Sequence, residues 1–230
     1  MKVYYLNLGI TDFYNTWKLQ ECIHIFKQKH EVNDIILTTQ HNHVYTLGKT
    51  GDKDHLLLSE DELKRKSIAY YEIDRGGDLT YHGPGQLVCY PIFDLTHYYK
   101  DAHRYLRDLE EAVILTLRHF NIESYHDNEY TGVWTGNDKI CAIGIKLSRW
   151  ITMHGLALNV NNDLSYFDRI IPCGIFHKGV VSMKNVLSRN VEFEEVERIL
   201  LENFKLVFKI ALEKISFIDL EEIYGIIREK

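Results

Sequence analysis

The spacing of apolar and polar positions changes several times along the chain and predicts strands and helices in mixed order. Residues 2–8 (KVYYLNL) read as a strand. From Thr11 the period lengthens: Phe13, Trp17, Ile23 and Phe26 fall roughly on one helical face, with Thr11 or Asp12 as N-cap. DIILTTQ (34–40) has the look of a buried strand, and HNHVYTLGK runs on into another. Ser59 and Glu62 form a capping-box signature for a short helix to about Lys66. SIAYYEI then enters, and LVCYPIF leaves, a glycine-rich stretch read as a loop. Residues 102–120 carry the clearest helical period, with Leu106, Leu109, Val113, Leu117 and Phe120 on one face. KICAIGIKL and WITMHGLALNV are two β-rich runs joined by a short turn. A second long helix is predicted over about 194–212 and a last short one from a cap at Asp219. No repeat or linker interrupts this order. The expected fold is a single α+β domain over 1–230, a mixed β-sheet flanked by helices, with C-terminal helices in 194–230.

Composition narrows the function classes. With 230 residues, the chain is long enough to bury one large core. The net charge of −6 argues against a nucleic-acid binder, because phosphate contacts need a basic surface. No apolar run approaches the roughly 18 residues that span a membrane, and the N-terminal stretch lacks the apolar core of a signal peptide. The four cysteines, Cys22, Cys89, Cys141 and Cys173, are far apart and form no C-x-x-C pair, which favours reduced thiols and a cytoplasmic protein.

Candidate chemistry concentrates in two places. RGGDLTYHGPGQL (75–87) holds four of the 14 glycines. Bare backbone there lets amides approach a ligand, while Arg75 offers a cation and His82 a donor or acceptor near neutral pH. It is neither a P-loop nor a G-x-G-x-x-G loop. The second place is IIPCGI (170–175), where Cys173 sits at a turn and would need a partner favouring its thiolate to act as a nucleophile. Cys22 and Cys89 read as small buried hydrophobes. Lys139 opens an apolar strand whose period of two places it with Cys141, Ile143 and Ile145, either at the rim or partly desolvated. His154 would share a face with Thr152 and Leu156, as a hydrogen-bonded structural histidine. His41 and His43 share a face but have no further ligand at metal-binding spacing, so no metal is expected.

Taken together, HNHVYTLGK, RGGDLTYHGPGQLVCYPI, GVWTGNDKICAIGIKLSRWITMHGLALNV, FDRIIPCGI and VVSMKNV resemble the lipoyl(octanoyl) transferases over about residues 35–190. Cys141 stands where that family often has alanine, and Asp78 and Tyr81 are variants within its pattern. The resemblance implies a fold related to the biotin and lipoate protein ligases. It implies that Cys173 is the acyl-thioester nucleophile and that Lys139 lowers its pKa and shuttles protons. It further implies an acyl pocket lined by Arg75, Gly76, Gly77, Asp78, Leu79, Thr80, Tyr81 and His82, by Ala142, Ile143 and Gly144, and by Gly155, Leu156 and Ala157. The implied donor is octanoyl-acyl carrier protein. The implied acceptors are the lipoyl domains of 2-oxoacid dehydrogenase complexes and the glycine cleavage H protein, with no cofactor, nucleic acid or membrane involved. Lys146, Arg149 and Lys178 are candidates for a basic rim. The rivals are an ATP-dependent lipoate or biotin protein ligase on the same fold, and a non-catalytic module that binds acyl carrier or lipoyl domains.

Overall fold

The computed structural model describes residues 1–171 and 179–226. Its organising element is an eight-stranded mixed sheet. In chain order its members are β1 (Lys2–Thr11), β2 (Asp34–His41), β6 (Gln86–Ile92), β7 (Tyr125–His126), β8 (Val133–Thr135), β9 (Asp138–Ser148), β10 (Ile151–Asn159) and β11 (Ala211–Lys214). Across the sheet the order is β11-β1-β2-β6-β10-β9-β8-β7. β1 and β2 are parallel, and parallel neighbours need a crossover. Helix α1 (Phe13–Lys27) supplies it, capped by the Asp12 carboxylate, which accepts from Asn15 N at 3.0 Å. A second, three-stranded sheet has the order β4-β3-β5, formed by β3 (Val44–Leu47), β4 (Ala69–Glu72) and β5 (Leu79–His82). Helix α2 (Glu60–Arg65) leads into β4 and carries the expected capping box.

Alternation along β2 separates two cores. Ile36 faces a cluster with Leu109, Val113 and Leu117 of α3 (Ala102–His119) and with Leu200 and Phe204 of α5 (Phe193–Phe208). Ile35 and Leu37 face the other side, with Ile23 of α1 and Leu220 and Tyr224 of α6 (Phe217–Tyr224). Each such fully buried aliphatic side chain contributes about 1.5–3 kcal/mol. The short helix α4 (Met183–Leu187) buries Met183 in the first of these cores. The buried Glu197 carboxylate of α5 accepts from Tyr5 Oη at 2.9 Å, from Asn7 Nδ2 at 2.8 Å and from the Thr38 hydroxyl, which fixes the helix against β1 and β2.

Three expectations are corrected. The glycine-rich stretch is not all loop: Leu79–His82 pairs antiparallel with Val44–Leu47 as β5. The second long helix stops at Phe208, not about 212. Lys209 takes a left-handed backbone (φ 54°), and residues 211–214 pair with the free edge of β1 instead. The last helix is capped by Ser216, and Asp219 is the third helical residue of the capping box.

Candidate active site

Between the small sheet and the central strands β6, β10 and β9 lies a cavity of about 260 Å³. Along β10 its lining runs from Asn159 to His154, about 16 Å at the usual strand rise of about 3.3 Å per residue. Of the residues implied by the sequence, Lys139, Arg75, Gly77, Asp78, Leu79, Thr80, His82, Ala142, Ile143, Gly144, Gly155, Leu156 and Ala157 all line it. Cys173 and Lys178 lie outside the described residues. Gly179 and Val180, the first described residues after them, line the cavity together with Lys139.

Close backbone approach explains the central glycines. Gly144 of β9 pairs directly with Gly155 of β10. A Cβ at Gly155 would lie 2.2 Å from the Cys89 carbonyl oxygen, and one at Gly144 would lie 2.9 Å from the Gly76 carbonyl oxygen. The Arg75–Gly77 segment can therefore lie on β9, where Gly76 N donates to Ile145 O at 2.9 Å. Arg75 is buried and its Nη2 donates to Thr46 O at 2.6 Å and Thr46 Oγ1 at 3.0 Å, tying the loop to β3. Asp78 accepts from Leu79 N at 2.7 Å and Asp52 N at 3.2 Å, and its Oδ2 lies 2.6 Å from His55 Nδ1.

Gly76 and Tyr81 are absent from the lining. Gly76 serves through its backbone. Tyr81 points into the core of the small sheet, where its hydroxyl lies 2.7 Å from His43 Nδ1 and its ring stacks on Tyr166.

Lys139 reaches the cavity by a device that a strict period of two does not contain. The β8–β9 register slips by one residue: Val133 pairs with Cys141, but Trp134 pairs with Lys139. The extra residue is Ile140, and Ile140 and Cys141 both enter the large core. Lys139 is thereby separated from Cys141 and faces the cavity, with its Nζ 4.7 Å from the centroid of the Trp134 ring. Its backbone is held from both sides, N to Gly179 O at 2.9 Å and O from Val181 N at 3.1 Å.

His154 is corrected in the same way. It does not share a face with Thr152 and Leu156, because its left-handed backbone (φ 61°) turns the ring into the cavity wall. That conformation costs a non-glycine residue about 1–2 kcal/mol. It is offset by Gln20 Oε1, which accepts from His154 N at 3.0 Å, and by Asp74 Oδ1, which accepts from Nε2 at 3.0 Å. It is the hydrogen-bonded histidine expected from the sequence. The bond from His154, joined by the Lys146 ammonium at 2.5 Å, holds the Asp74 carboxyl well below the usual range. Lys146 is thus ion-paired at the surface, and Arg149 sits in the left-handed hairpin turn between β9 and β10. Burial pushes up the thiols of Cys89 and Cys141, whereas Cys22 is exposed, contrary to expectation.

Other lining residues, among them Phe13, Ile73, Gln86, Tyr90, Trp134 and Asn159, come from distant segments. Gln86 alone had a local signal, its place at the end of the glycine stretch. Two buried histidines stand beside the cavity, 5.9 Å apart between ring centroids. Burial drives His41 down to about 4 and His82 down to about 3, from an ordinary value near 6.5, so both are neutral at pH 7. His41 Nε2 lies 2.7 Å from the Tyr90 hydroxyl. The unfolded chain takes up these protons below pH 6.5 and the folded one does not. Stability is therefore complete above about pH 6.5 and falls as the pH drops toward 4, by up to about 1.4 kcal/mol per pH unit for each histidine. Urea midpoints measured between pH 7.5 and 4.5 should fall accordingly; a flat profile would contradict the neutral pair.

Comparisons with known proteins identify the family and the fold. Residues 12–205 match the model of the lipoyl protein ligase A/B catalytic domain. An octanoyltransferase of Christiangramia forsetii is 50% identical over 226 residues, covering 90% of this chain and 96% of that one. Among solved structures, a bipartite lipoate protein ligase from Thermoplasma acidophilum superposes with a TM-score of 0.74 at 17% identity, covering 100% of this chain and 99% of that one. A biotin protein ligase from Aquifex aeolicus gives 0.51 at 13% identity, with 91% and 69% covered. The fold is that of the biotin and lipoate protein ligases, and the chain belongs to the lipoyl protein ligase A/B catalytic-domain family as an acyltransferase.

Proposed function

We propose that this protein moves an octanoyl group from octanoyl-acyl carrier protein, through a thioester on Cys173, to the acceptor lysine of lipoyl domains in the cytoplasm. The acceptors would be the lipoyl domains of 2-oxoacid dehydrogenase complexes and the glycine cleavage H protein. The observation that carries the reading is the cavity itself. Its apolar lining includes Phe13, Ile73, Leu79, Val88 and Ala157, with Lys139 and the Arg75–His82 segment in the same lining. An apolar wall with a few convergent polar groups suits an alkyl chain ending in a reactive carbonyl. Each methylene taken from water adds about 0.8 kcal/mol.

The chemistry balances without another energy source. The Cys173 thiolate attacks the donor thioester, and the carrier thiol leaves with the proton. The acceptor amine then attacks the Cys173 thioester, forming an amide and returning the thiol. The first step exchanges one thioester for another; the second runs downhill to an amide. Lys139 would favour the thiolate by its positive charge. The glycine-rich Arg75–His82 segment, tied to β3 through Arg75, contributes backbone to the lining, where a donor to a tetrahedral oxyanion is worth about 3–4 kcal/mol.

The test is transfer from octanoyl-acyl carrier protein to an isolated lipoyl domain with no nucleotide present. Turnover is expected. Modification that requires ATP and free octanoate would replace this reading with the ligase.

A further inference from the structure

A chain of buried amides fixes which nitrogen of His82 carries its proton. Gln86 is almost fully buried, and its Nε2 donates to the backbone carbonyl of Tyr81 at 3.2 Å and to Asn159 Oδ1 at 2.9 Å. A backbone carbonyl can only accept, so the Gln86 amide has one orientation, with Oε1 turned to His82 Nδ1 at 2.8 Å. Asn159 is locked in turn: its Nδ2 donates to Val181 O at 3.1 Å, and its Oδ1 also accepts from Asn162 Nδ2 at 3.0 Å. Val181 N is the group that bonds the Lys139 carbonyl. One polar chain therefore runs from the His82 ring to the backbone of Lys139.

Oε1 of Gln86 offers only lone pairs, so Nδ1 of His82 must be the protonated nitrogen. The ring lines the cavity, and among the described residues its Nε2 makes no hydrogen bond. We propose that Gln86, anchored through Asn159, is a positioning residue that holds His82 as the Nδ1–H tautomer, so that its bare Nε2 accepts a hydrogen bond from the acceptor lysine's attacking amine. This rests on the transferase reading above.

The reaction offers few groups for that lone pair. The thioester carbonyl is itself an acceptor and cannot pair with it. A thiol is a weak donor and acts here as its thiolate. The amine N–H remains. Burial keeps His82 neutral, with its pKa lowered to about 3, so it orients the amine without taking its proton. When the amide forms, that proton leaves on the released Cys173 thiol. Only the second half-reaction depends on the tautomer.

The test joins a spectroscopic and a kinetic measurement. In protein labelled with 15N-histidine, with His82 assigned through its loss in His82→Gln, the expected spectrum at neutral pH shows Nδ1 protonated and Nε2 bare. An Nε2–H tautomer or an imidazolium would overturn the proposal without reference to activity. In Gln86→Leu, transfer to the lipoyl domain should fall about 10²-fold, well beyond any loss in the acylation of Cys173 by octanoyl-acyl carrier protein. Gln86→Glu, nearly isosteric, should show the same split with both His82 nitrogens protonated, because a carboxylate draws a second proton onto the ring. Equal loss in both half-reactions would reduce Gln86 to a structural role, and no loss in either would remove it. A wild-type protein that transfers nothing would overturn the transferase reading, whereas the tautomer stands or falls on its spectrum.

Discussion

Lys139→Met should leave a folded protein whose octanoyl transfer falls about 10²–10⁴-fold, the range of a lost proton-transfer group. The placement of Lys139 in its strand does not depend on the ammonium. Lys139 is held in place by its backbone bonds to Gly179 and Val181 and by the one-residue slip that sends Ile140 and Cys141 into the core. Methionine keeps the stem that lies against Trp134 and forfeits a cation–π contact worth about 0.5–1 kcal/mol at an exposed site. The loss should therefore appear far more in catalysis than in the unfolding midpoint. The pH profile of Cys173 alkylation is the sharper readout. If Lys139 favours the thiolate, its removal moves that profile to higher pH. An unchanged profile in an inactive variant would assign Lys139 to proton transfer alone.

Lys27→Ala should have the largest effect on stability, a loss of about 3–5 kcal/mol, because it strands a buried charge. Lys27 Nζ lies 2.7 Å from Asp34 Oδ1, with both side chains at most 2% exposed. The ammonium also donates to Val32 O at 3.0 Å and Asn33 O at 3.3 Å, which closes the turn from α1 into β2. Asp34 accepts from Asp94 N at 2.9 Å and from the Tyr98 hydroxyl at 2.9 Å. Those two neutral donors remain after the substitution, but the compensating cation does not. Urea unfolding measures the effect through the midpoint with the slope unchanged. A shift below about 1 kcal/mol, the scale of a surface pair, would mean that the carboxylate is compensated elsewhere.

The parts of the fold that were legible are those whose signal is local. α3 and α5 announce themselves by an apolar stripe, α2 by Ser59 and Glu62, and β2 by the apolar run Ile35–Leu37. The cavity loops were legible because their residues are contiguous, so quoting the motif quotes much of the lining. What stayed hidden depends on partners distant in sequence. Residues 209–214 (KIALEK) contain good helix formers, yet the open edge of β1 takes Ala211–Lys214 as a strand, an override of propensity by tertiary pairing. The slip at Ile140 and the left-handed backbone of His154 reverse side-chain direction within strands, and no periodicity argument contains such a reversal. Asn159 looked like one more polar residue at a strand end. Its place next to Gln86 follows from the pairing of β10 with β6.

In the proposed reaction an octanoyl group rests on Cys173 between donor and acceptor. Intact-mass spectrometry of the protein after incubation with octanoyl-acyl carrier protein, without ATP and without a lipoyl domain, tests it most directly. The wild type should gain one octanoyl group, removed by hydroxylamine, discharged by added lipoyl domain, and absent from Cys173→Ala. A wild-type protein that transfers octanoate while never gaining that mass, or a Cys173→Ala variant that gains it, would rule out the Cys173 thioester.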